Sequence, residues 1–370
     1  MKRTPFYAQH LAHGATMYEV QGWEMPAEFA GIQAEHLATR QRAGLSDFAS
    51  TGEIEVKGRD ALALMQRVTV NDASTMPAGK VLYSTMCRPD GSILSDITVY
   101  RFAPDRFMVM TAWGSNRDNK RVEYDWLRAH AGDLEVCITD VSSGSALLAL
   151  QGPKSRDILA PLTSANLTAL PYMHFTLAPV AGIESLISRT GYTGELGYEV
   201  VCPAEHAHEM FDALLESGKP HGMMLCGLKC AFGLRMEKGY IARFDFADGA
   251  TPYEAGLGWT VKLDKGDFVG RAALAQQKAQ GVSRRLVSIR AEGERVPSMG
   301  ALLVYEGETV GKITSSAYSF VFDCPLVLGT VPSGLAAPGT PLVIRDGEVV
   351  QQAEVVPRPY YDPENLLLRS

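Results

Sequence analysis

Asp96 places a carboxylate inside a segment that is otherwise typical of a β-strand. Residues 92–100 alternate in polarity, so Asp96 lies on the face opposite Ile97 and Val99. Strand interiors disfavour aspartate, so its presence calls for a reason. A carboxylate held there can act as a general base or stabilise a developing cation. Alternatively, Asp96 is a solvent-facing strand residue.

Tyr83 is expected on the strand that pairs with this segment. A two-residue turn at positions 89–90 would set Tyr83 directly opposite Asp96. The phenol and the carboxylate would then meet on one face of the sheet, where the hydroxyl could orient the carboxylate.

Glu195 lies in a glycine-rich segment, residues 189–198, that holds three glycines. Glycine lets a backbone bend sharply and approach a ligand closely. The carboxylate of Glu195 offers two coplanar oxygens, which match the adjacent N–H and NH2 donors of a planar heterocycle such as a pterin. A hairpin with an exposed glutamate explains the same residues equally well.

Arg235 falls on the apolar stripe of an expected helix, together with Leu228, Ala231 and Phe232. Burying an unpaired cation is unfavourable by several kcal/mol, so Arg235 needs an internal carboxylate or an anionic ligand. The pattern supports both.

Aromatic residues could also line a pocket for a flat ligand, although single aromatics are more often core residues. The candidates are Trp23, Tyr83, Tyr192 and Trp259.

Cys226 and Cys230 are four residues apart, but no second Cys/His pair at metal-binding spacing accompanies them. We therefore expect buried thiols and no metal site.

Strand pairs that alternate with helices must position these residues, which indicates an α+β fold rather than a doubly wound sheet. Residues 278–283 are typical of a linker, and the turn-rich tail beyond it predicts a small antiparallel barrel or sandwich. The expected helices span residues 31–42, about 61–68, 207–218 and about 225–238.

The composition excludes several classes of protein. The 370 residues carry a formal net charge of -7 and no Lys/Arg run, which argues against nucleic acid as a partner. No apolar stretch approaches the roughly 18 residues of a membrane span, and no secretory leader is evident, so we expect a cytoplasmic protein. No G-x-G-x-x-G, Walker A or G-x-S-x-G pattern occurs.

Many segments together, in order, resemble the aminomethyltransferase (glycine cleavage T-protein) family over nearly the whole length. The matching segments are Gly22-Trp23-Glu24-Met25-Pro26, Ala43-Gly44-Leu45-Ser46-Asp47, residues 91–101 with Asp96, Gln151-Gly152-Pro153, Thr190-Gly191-Tyr192-Thr193-Gly194-Glu195, Leu234-Arg235-Met236-Glu237, residues 251–259 and Asp267-Phe268-Val269-Gly270-Arg271.

This resemblance implies a three-domain cloverleaf around a central folate channel, with a C-terminal antiparallel β-barrel. Residues 1–278 would form the folate-binding region, as two interleaved α+β subdomains, and residues 284–370 the barrel. Asp96 would lie near N5 and N10 of tetrahydrofolate, and Glu195 would hold the pterin. The residues implied around the pterin are Tyr83, Tyr192, Arg235 and Trp259.

The implied activity is tetrahydrofolate-dependent one-carbon transfer, with the one-carbon unit coming from a lipoyl carrier protein or a small-molecule donor.

Some segments depart from the family pattern. Glu237-Lys238-Gly239-Tyr240 and residues 359–365 look more like the folate half of dimethylglycine and sarcosine dehydrogenases. A stand-alone demethylase of a methylated amine or sulfonium is therefore the alternative. A non-catalytic iron–sulfur assembly factor is a third, but its K-G-C-[YF]-x-G-Q-E motif does not occur.

Overall fold

Helices and strands alternate along most of the chain, which confirms the α+β class. The computed structural model describes residues 1–111 and 117–370. In that part of the chain the helices are α1 (Tyr7–Ala12), α2 (Ile32–Gln41), α3 (Ala61–Val68), α4 (Arg117–Ala131), α5 (Ser155–Leu159), α6 (Ala207–Gly218), α7 (Leu228–Lys238), α8 (Arg271–Gln280) and α9 (Leu366–Arg369).

Within the described ranges the strands, numbered in chain order, form three sheets and one closed barrel. The small sheet has the order β1 (Lys2–Arg3), β3 (Trp23–Glu28) and β2 (Thr16–Val20). The five-stranded sheet has the order β6 (Val81–Cys87), β7 (Ile93–Ala103), β8 (Arg106–Thr111), β5 (Gly52–Lys57) and β9 (Cys137–Asp140). The six-stranded sheet has the order β11 (Phe175–Val180), β12 (Ile183–Ser188), β13 (Gly197–Pro203), β10 (Ser145–Gln151), β4 (Gly44–Asp47) and β14 (Met224–Leu225).

The barrel confirms the architecture expected for the tail. Its strands are all antiparallel, and they enclose an apolar core that includes Ile289, Leu303 and Val327. They run in the order β15 (Arg284–Ala291), β18 (Cys324–Pro332), β17 (Glu308–Ser319), β16 (Leu302–Tyr305), β19 (Pro341–Asp346) and β20 (Val349–Val356).

Two expected boundaries differ from the structure. Helix α7 begins three residues later than expected, because Met224 and Leu225 pair with strand β4 instead. Helix α8 extends to Gln280 into the expected linker, because its alanines and glutamines favour a helix until Gly281 adopts a φ of 81°.

The five-stranded and six-stranded sheets pack against each other through one face each. Residues of both sheets form a shared apolar layer, which includes Val81, Tyr100, Leu147 and Leu186. The opposite face of the five-stranded sheet packs on α3 and α4. This arrangement places the polar side chains of the inner faces between the sheets. In the described residues, no helix is long and apolar enough to cross a membrane.

Candidate active site

Strands β6 and β7 bring Tyr83 and Asp96 together, but in a different register from the one expected. Tyr83 lies opposite Thr98, and Thr85 lies opposite Asp96. The predicted register was wrong by two residues. One residue of this shift arises from a longer turn, in which the backbone N–H of Arg88 donates to the carbonyl of Ser92. The other arises from a β-bulge between Met86 and Cys87.

A shift of two residues keeps both side chains on the same face of the sheet. The Tyr83 hydroxyl therefore reaches Asp96 diagonally and donates a hydrogen bond of 3.0 Å to its Oδ2 atom. The other oxygen, Oδ1, is buried and has no hydrogen-bond partner among the described residues. Asp96 is only 7% exposed, so the interpretation of a solvent-facing strand residue is wrong.

Burial raises the pKa of Asp96 from its usual value to about 6, and the nearby charge of Asp245 acts in the same direction. The carboxylate is thus ionised near neutral pH, yet it accepts a proton far more readily than an exposed aspartate does. An acid–base group works best when its pKa lies near the working pH. These properties suit Asp96 to proton transfer or to stabilisation of a cation.

Aromatic rings form a flat surface beside this carboxylate. Trp259 stacks on Tyr83, with the ring centroids 6.1 Å apart and the planes 21° from parallel. Trp259 is 60% exposed, an unusual state for a large aromatic residue, so the stack lies where the site opens to solvent. Tyr192 packs against the apolar layer between the sheets, and its hydroxyl donates to the carbonyl of Ile241.

Arg235 has an ion-pair partner inside the protein. Its Nη1 atom donates to Asp245 Oδ2 at 3.0 Å and to the carbonyl of Tyr240 at 2.9 Å, and the side chain is fully buried. Thr314 and Ser315 of strand β17 donate to the other oxygen of Asp245. Of the two alternatives for Arg235, the structure therefore shows the internal ion pair, which ties α7 to the barrel.

Glu195 also has partners inside the protein. Its Oε1 atom accepts hydrogen bonds from Arg40 Nη1 at 2.9 Å and from the Tyr361 hydroxyl at 2.6 Å. Arg40 additionally pairs with Glu237 and lies over the ring of Tyr361, 3.9 Å from its centroid. Glu195 is 3% exposed, so the exposed-hairpin interpretation is wrong. The carboxylate belongs to a buried ionic network.

Glu199 is a second carboxylate in this region, and our sequence reasoning did not select it. It lies in strand β13 on the face opposite Tyr198 and Val200, which belong to a separate core, and therefore faces the layer between the two sheets. The hydroxyl of Thr190 donates to it. Burial raises the pKa of Glu199. An acidic residue inside an alternating strand was the available signal, the same one that identified Asp96.

The cysteine pair has a neighbour that the sequence did not reveal. One ligand-type atom each of Glu35, Cys226 and Cys230 lies within 4.8 Å of the other two, and all three side chains are buried. However, the Glu35 carboxylate already accepts hydrogen bonds from the backbone N–H groups of Phe29, Ala30 and Gly227. These bonds give the carboxylate a structural role at the start of α7.

The comparisons with known proteins cover both parts of the chain. Residues 6–265 match the model described as the GCVT N-terminal domain, and residues 284–362 match the glycine cleavage T-protein C-terminal barrel domain. The aminomethyltransferase of Streptomyces coelicolor is 41% identical over 98% of this chain and 98% of its own. That of Halothermothrix orenii is 38% identical over 97% of this chain and 100% of its own.

A solved structure shares the whole fold. The crystal structure of the glycine cleavage system aminomethyltransferase T from Bartonella henselae superposes with a TM-score of 0.90 at 29% identity, and the match covers 98% of each chain. The relatives thus extend over both the sheets that carry Asp96 and the barrel.

Proposed function

The chain belongs to the glycine cleavage T-protein family, and on this premise we propose that it is a tetrahydrofolate-dependent aminomethyltransferase. The observation that carries the proposal is the buried Asp96 carboxylate beside the Tyr83–Trp259 stack, one oxygen of which has no partner among the residues that the structure describes. A flat heterocycle fits an aromatic surface, and a nitrogen that must lose a proton fits a free carboxylate oxygen.

Bound tetrahydrofolate would supply the nucleophilic nitrogen. Asp96 accepts the proton that this nitrogen loses, or it stabilises positive charge while the carrier leaves. The Tyr83 hydroxyl fixes one carboxylate oxygen at 3.0 Å and so leaves the other available for the reacting atoms. Arg235 acts indirectly, because its ion pair with Asp245 holds α7 against the barrel.

Two carboxylates are candidates to hold the pterin. The family resemblance implies Glu195, whereas the position of Glu199 between the sheets supports Glu199. Glu195 already accepts bonds from Arg40 and Tyr361, and a pterin would have to compete with both. Glu199 accepts a hydrogen bond from the Thr190 hydroxyl and lies near Tyr100, four residues along β7 from Asp96. We therefore propose that Glu199 binds the pterin and that Glu195 supports the site through the ionic network.

The division at residues 278–284 also belongs to this proposal. The two family models end and begin on either side of it, at residues 265 and 284, which supports a folate-binding region followed by a barrel.

The donor of the one-carbon unit is tested by direct comparison. Purified protein is incubated with tetrahydrofolate and either an aminomethyl-loaded lipoyl carrier protein or a panel of methylated amines and sulfonium compounds. We expect ammonia release and methylene-tetrahydrofolate only with the carrier. Methyl transfer from a small donor alone would instead support the demethylase. Folate binding without transfer from any donor would support a non-catalytic protein.

A further inference from the structure

Gln151 is the last residue of strand β10 and has no part in the mechanism above. Its side chain is buried, with 3% exposed. Gln151 lies directly opposite Gly197 of strand β13, and Ala149, two residues earlier, lies opposite Glu199. Residues two apart in a strand share a face of the sheet. Gln151 and Glu199 therefore lie on the same face, on neighbouring strands and in diagonal positions.

The side-chain amide of Gln151 holds the two ends and the middle of the glycine-rich segment. Its Nε2 atom donates to the carbonyl of Thr190 at 3.1 Å and to that of Tyr198 at 3.4 Å. Its Oε1 atom accepts a hydrogen bond of 2.9 Å from the Thr193 hydroxyl, which in turn accepts from the backbone N–H of Glu195. An amide suits this position because it donates to carbonyls and accepts from a hydroxyl at the same time.

Two glycines let the amide lie directly against the backbone of this segment. A β-carbon at Gly191 would clash with the Oε1 atom of Gln151, and one at Gly197 would clash with the carbon and nitrogen of the same amide. A larger residue at either position would therefore displace the amide, because a close-packed interior has no room for it. Packing and hydrogen bonds together fix the glycine-rich segment to the end of β10.

The glycine-rich segment supports both glutamates that are candidates to hold the pterin. The hydroxyl of Thr190, whose carbonyl accepts from Gln151, donates to Glu199. The carboxylate of Glu195, whose backbone N–H donates to Thr193, lies in the buried ionic network instead. Each glutamate is therefore linked to Gln151 through one threonine.

We propose that Gln151 is a positioning residue, which orients Glu199 towards the pterin and keeps Glu195 in the ionic network. The inference rests on the proposed function, because it assumes that Glu199 binds the pterin of tetrahydrofolate. Gln151 acts through the two threonines and supplies no group to the reacting atoms. Its loss should therefore weaken folate binding and leave the chemical step, which depends on Asp96 of the other sheet, nearly unchanged.

Gln151→Met tests this role, because methionine keeps the length of the side chain and removes the hydrogen bonds of the amide. Calorimetry should show that tetrahydrofolate binds roughly ten-fold more weakly than to the wild type, whereas kcat at saturating folate stays within a few-fold. The control is Gln351→Met in the barrel. The amide of Gln351 also donates to backbone carbonyls, those of Glu292 and Arg295, so this variant loses similar bonds and should bind folate normally.

A double-variant cycle identifies the path of the effect. If Gln151 acts through Glu199, then Gln151→Met should lower the affinity little further in a protein that already carries Glu199→Gln. Thr193→Val removes only the hydroxyl between the amide of Gln151 and the N–H of Glu195. This variant should also weaken folate binding, although by less, and it stands in for Gln151→Met if the methionine variant does not fold.

The outcomes separate this inference from the proposed function. Wild-type affinity in Gln151→Met, or in Thr193→Val where it stands in, would overturn the positioning role. An equal loss in Gln351→Met would do the same, as would a loss that adds in full to that of Glu199→Gln. A fall in kcat as large as the fall in affinity would also overturn it. Failure of the wild type to bind tetrahydrofolate would instead overturn the proposed function, and the positioning role with it.

Discussion

Replacing Asp96 by Asn tests the mechanism most directly, because it removes the charge and keeps the shape. The Tyr83 hydroxyl can still donate to the amide oxygen, so the side chain stays oriented. The variant can neither take up a proton nor stabilise a cation. Removal of a positioned acid–base group lowers rates by about 10²–10⁴-fold, and we expect kcat to fall within that range.

The Asp96→Asn variant should be more stable than the wild type, although its kcat is lower. The folded-state pKa of Asp96 is raised to about 6, about two units above its usual value of 3.8, so the folded protein holds the ionised group less well than the unfolded chain does. This penalty develops as the pH rises from about 4 to about 6 and stays in full above that. Asp96→Asn removes it, so the free energy of unfolding at pH 7 should rise, by up to about 3 kcal/mol.

Three measurements decide this prediction. Single-turnover kinetics with the true donor give the loss of rate, calorimetry gives the folate affinity, and urea unfolding at pH 4 and pH 7 gives the stability. Folate affinity should stay within a few-fold of wild type, and the gain in stability should be absent at pH 4. A variant with normal turnover would refute the catalytic role. Loss of folate binding together with turnover would make Asp96 a binding residue.

Further predictions concern pH, pterin binding and the buried network. The kcat of the wild type should fall about ten-fold per pH unit below pH 6 as Asp96 becomes protonated. Glu123 is a second buried carboxyl, and burial raises its pKa to about 7, so Glu123→Gln is the control. The fall of kcat below pH 6 should persist in that variant. Glu199→Gln should weaken tetrahydrofolate binding at least ten-fold in calorimetry; if Glu195→Gln does so instead, the assignment between the two glutamates is reversed. Arg40→Gln should lower the free energy of unfolding by roughly 3–5 kcal/mol, because it leaves buried carboxylates without a counter-charge. An equal loss in a variant of an exposed arginine would contradict that reason.

Local patterns in the sequence were enough to identify several elements of the fold and the sheet face that carries Asp96 and Tyr83. Alternation placed Asp96 inside a strand and Tyr83 on the same face. It could not give the register, because the bulge between Met86 and Cys87 leaves no clear mark in the sequence. The barrel was predictable because closely spaced turns separate its short strands.

Partners that lie far apart in the chain were not predictable. The need of Arg235 for a carboxylate was clear, but nothing local identified Asp245. Arg40 precedes Glu195 by 155 residues, so no local pattern links the two charges. Glu195 was selected for its glycine-rich surroundings, whereas Glu199, four residues later, has the position in a strand that made Asp96 recognisable.

The ionic network around Arg40 has a consequence for how the chain folds. Arg40 lies in α2, Glu195 lies just before β13, and Glu237 lies in α7. Ser319 of strand β17 donates to Glu237, and Tyr361, which follows β20, donates to Glu195. Lys238 adds an ion pair with Asp362. The network is therefore complete only when the segment after β20 is in place, which couples α2 to the last part of the chain. The folate-binding region and the barrel should melt in one transition, and a fragment that ends at residue 278 would keep Arg40 and Glu195 without the tyrosine that completes their environment.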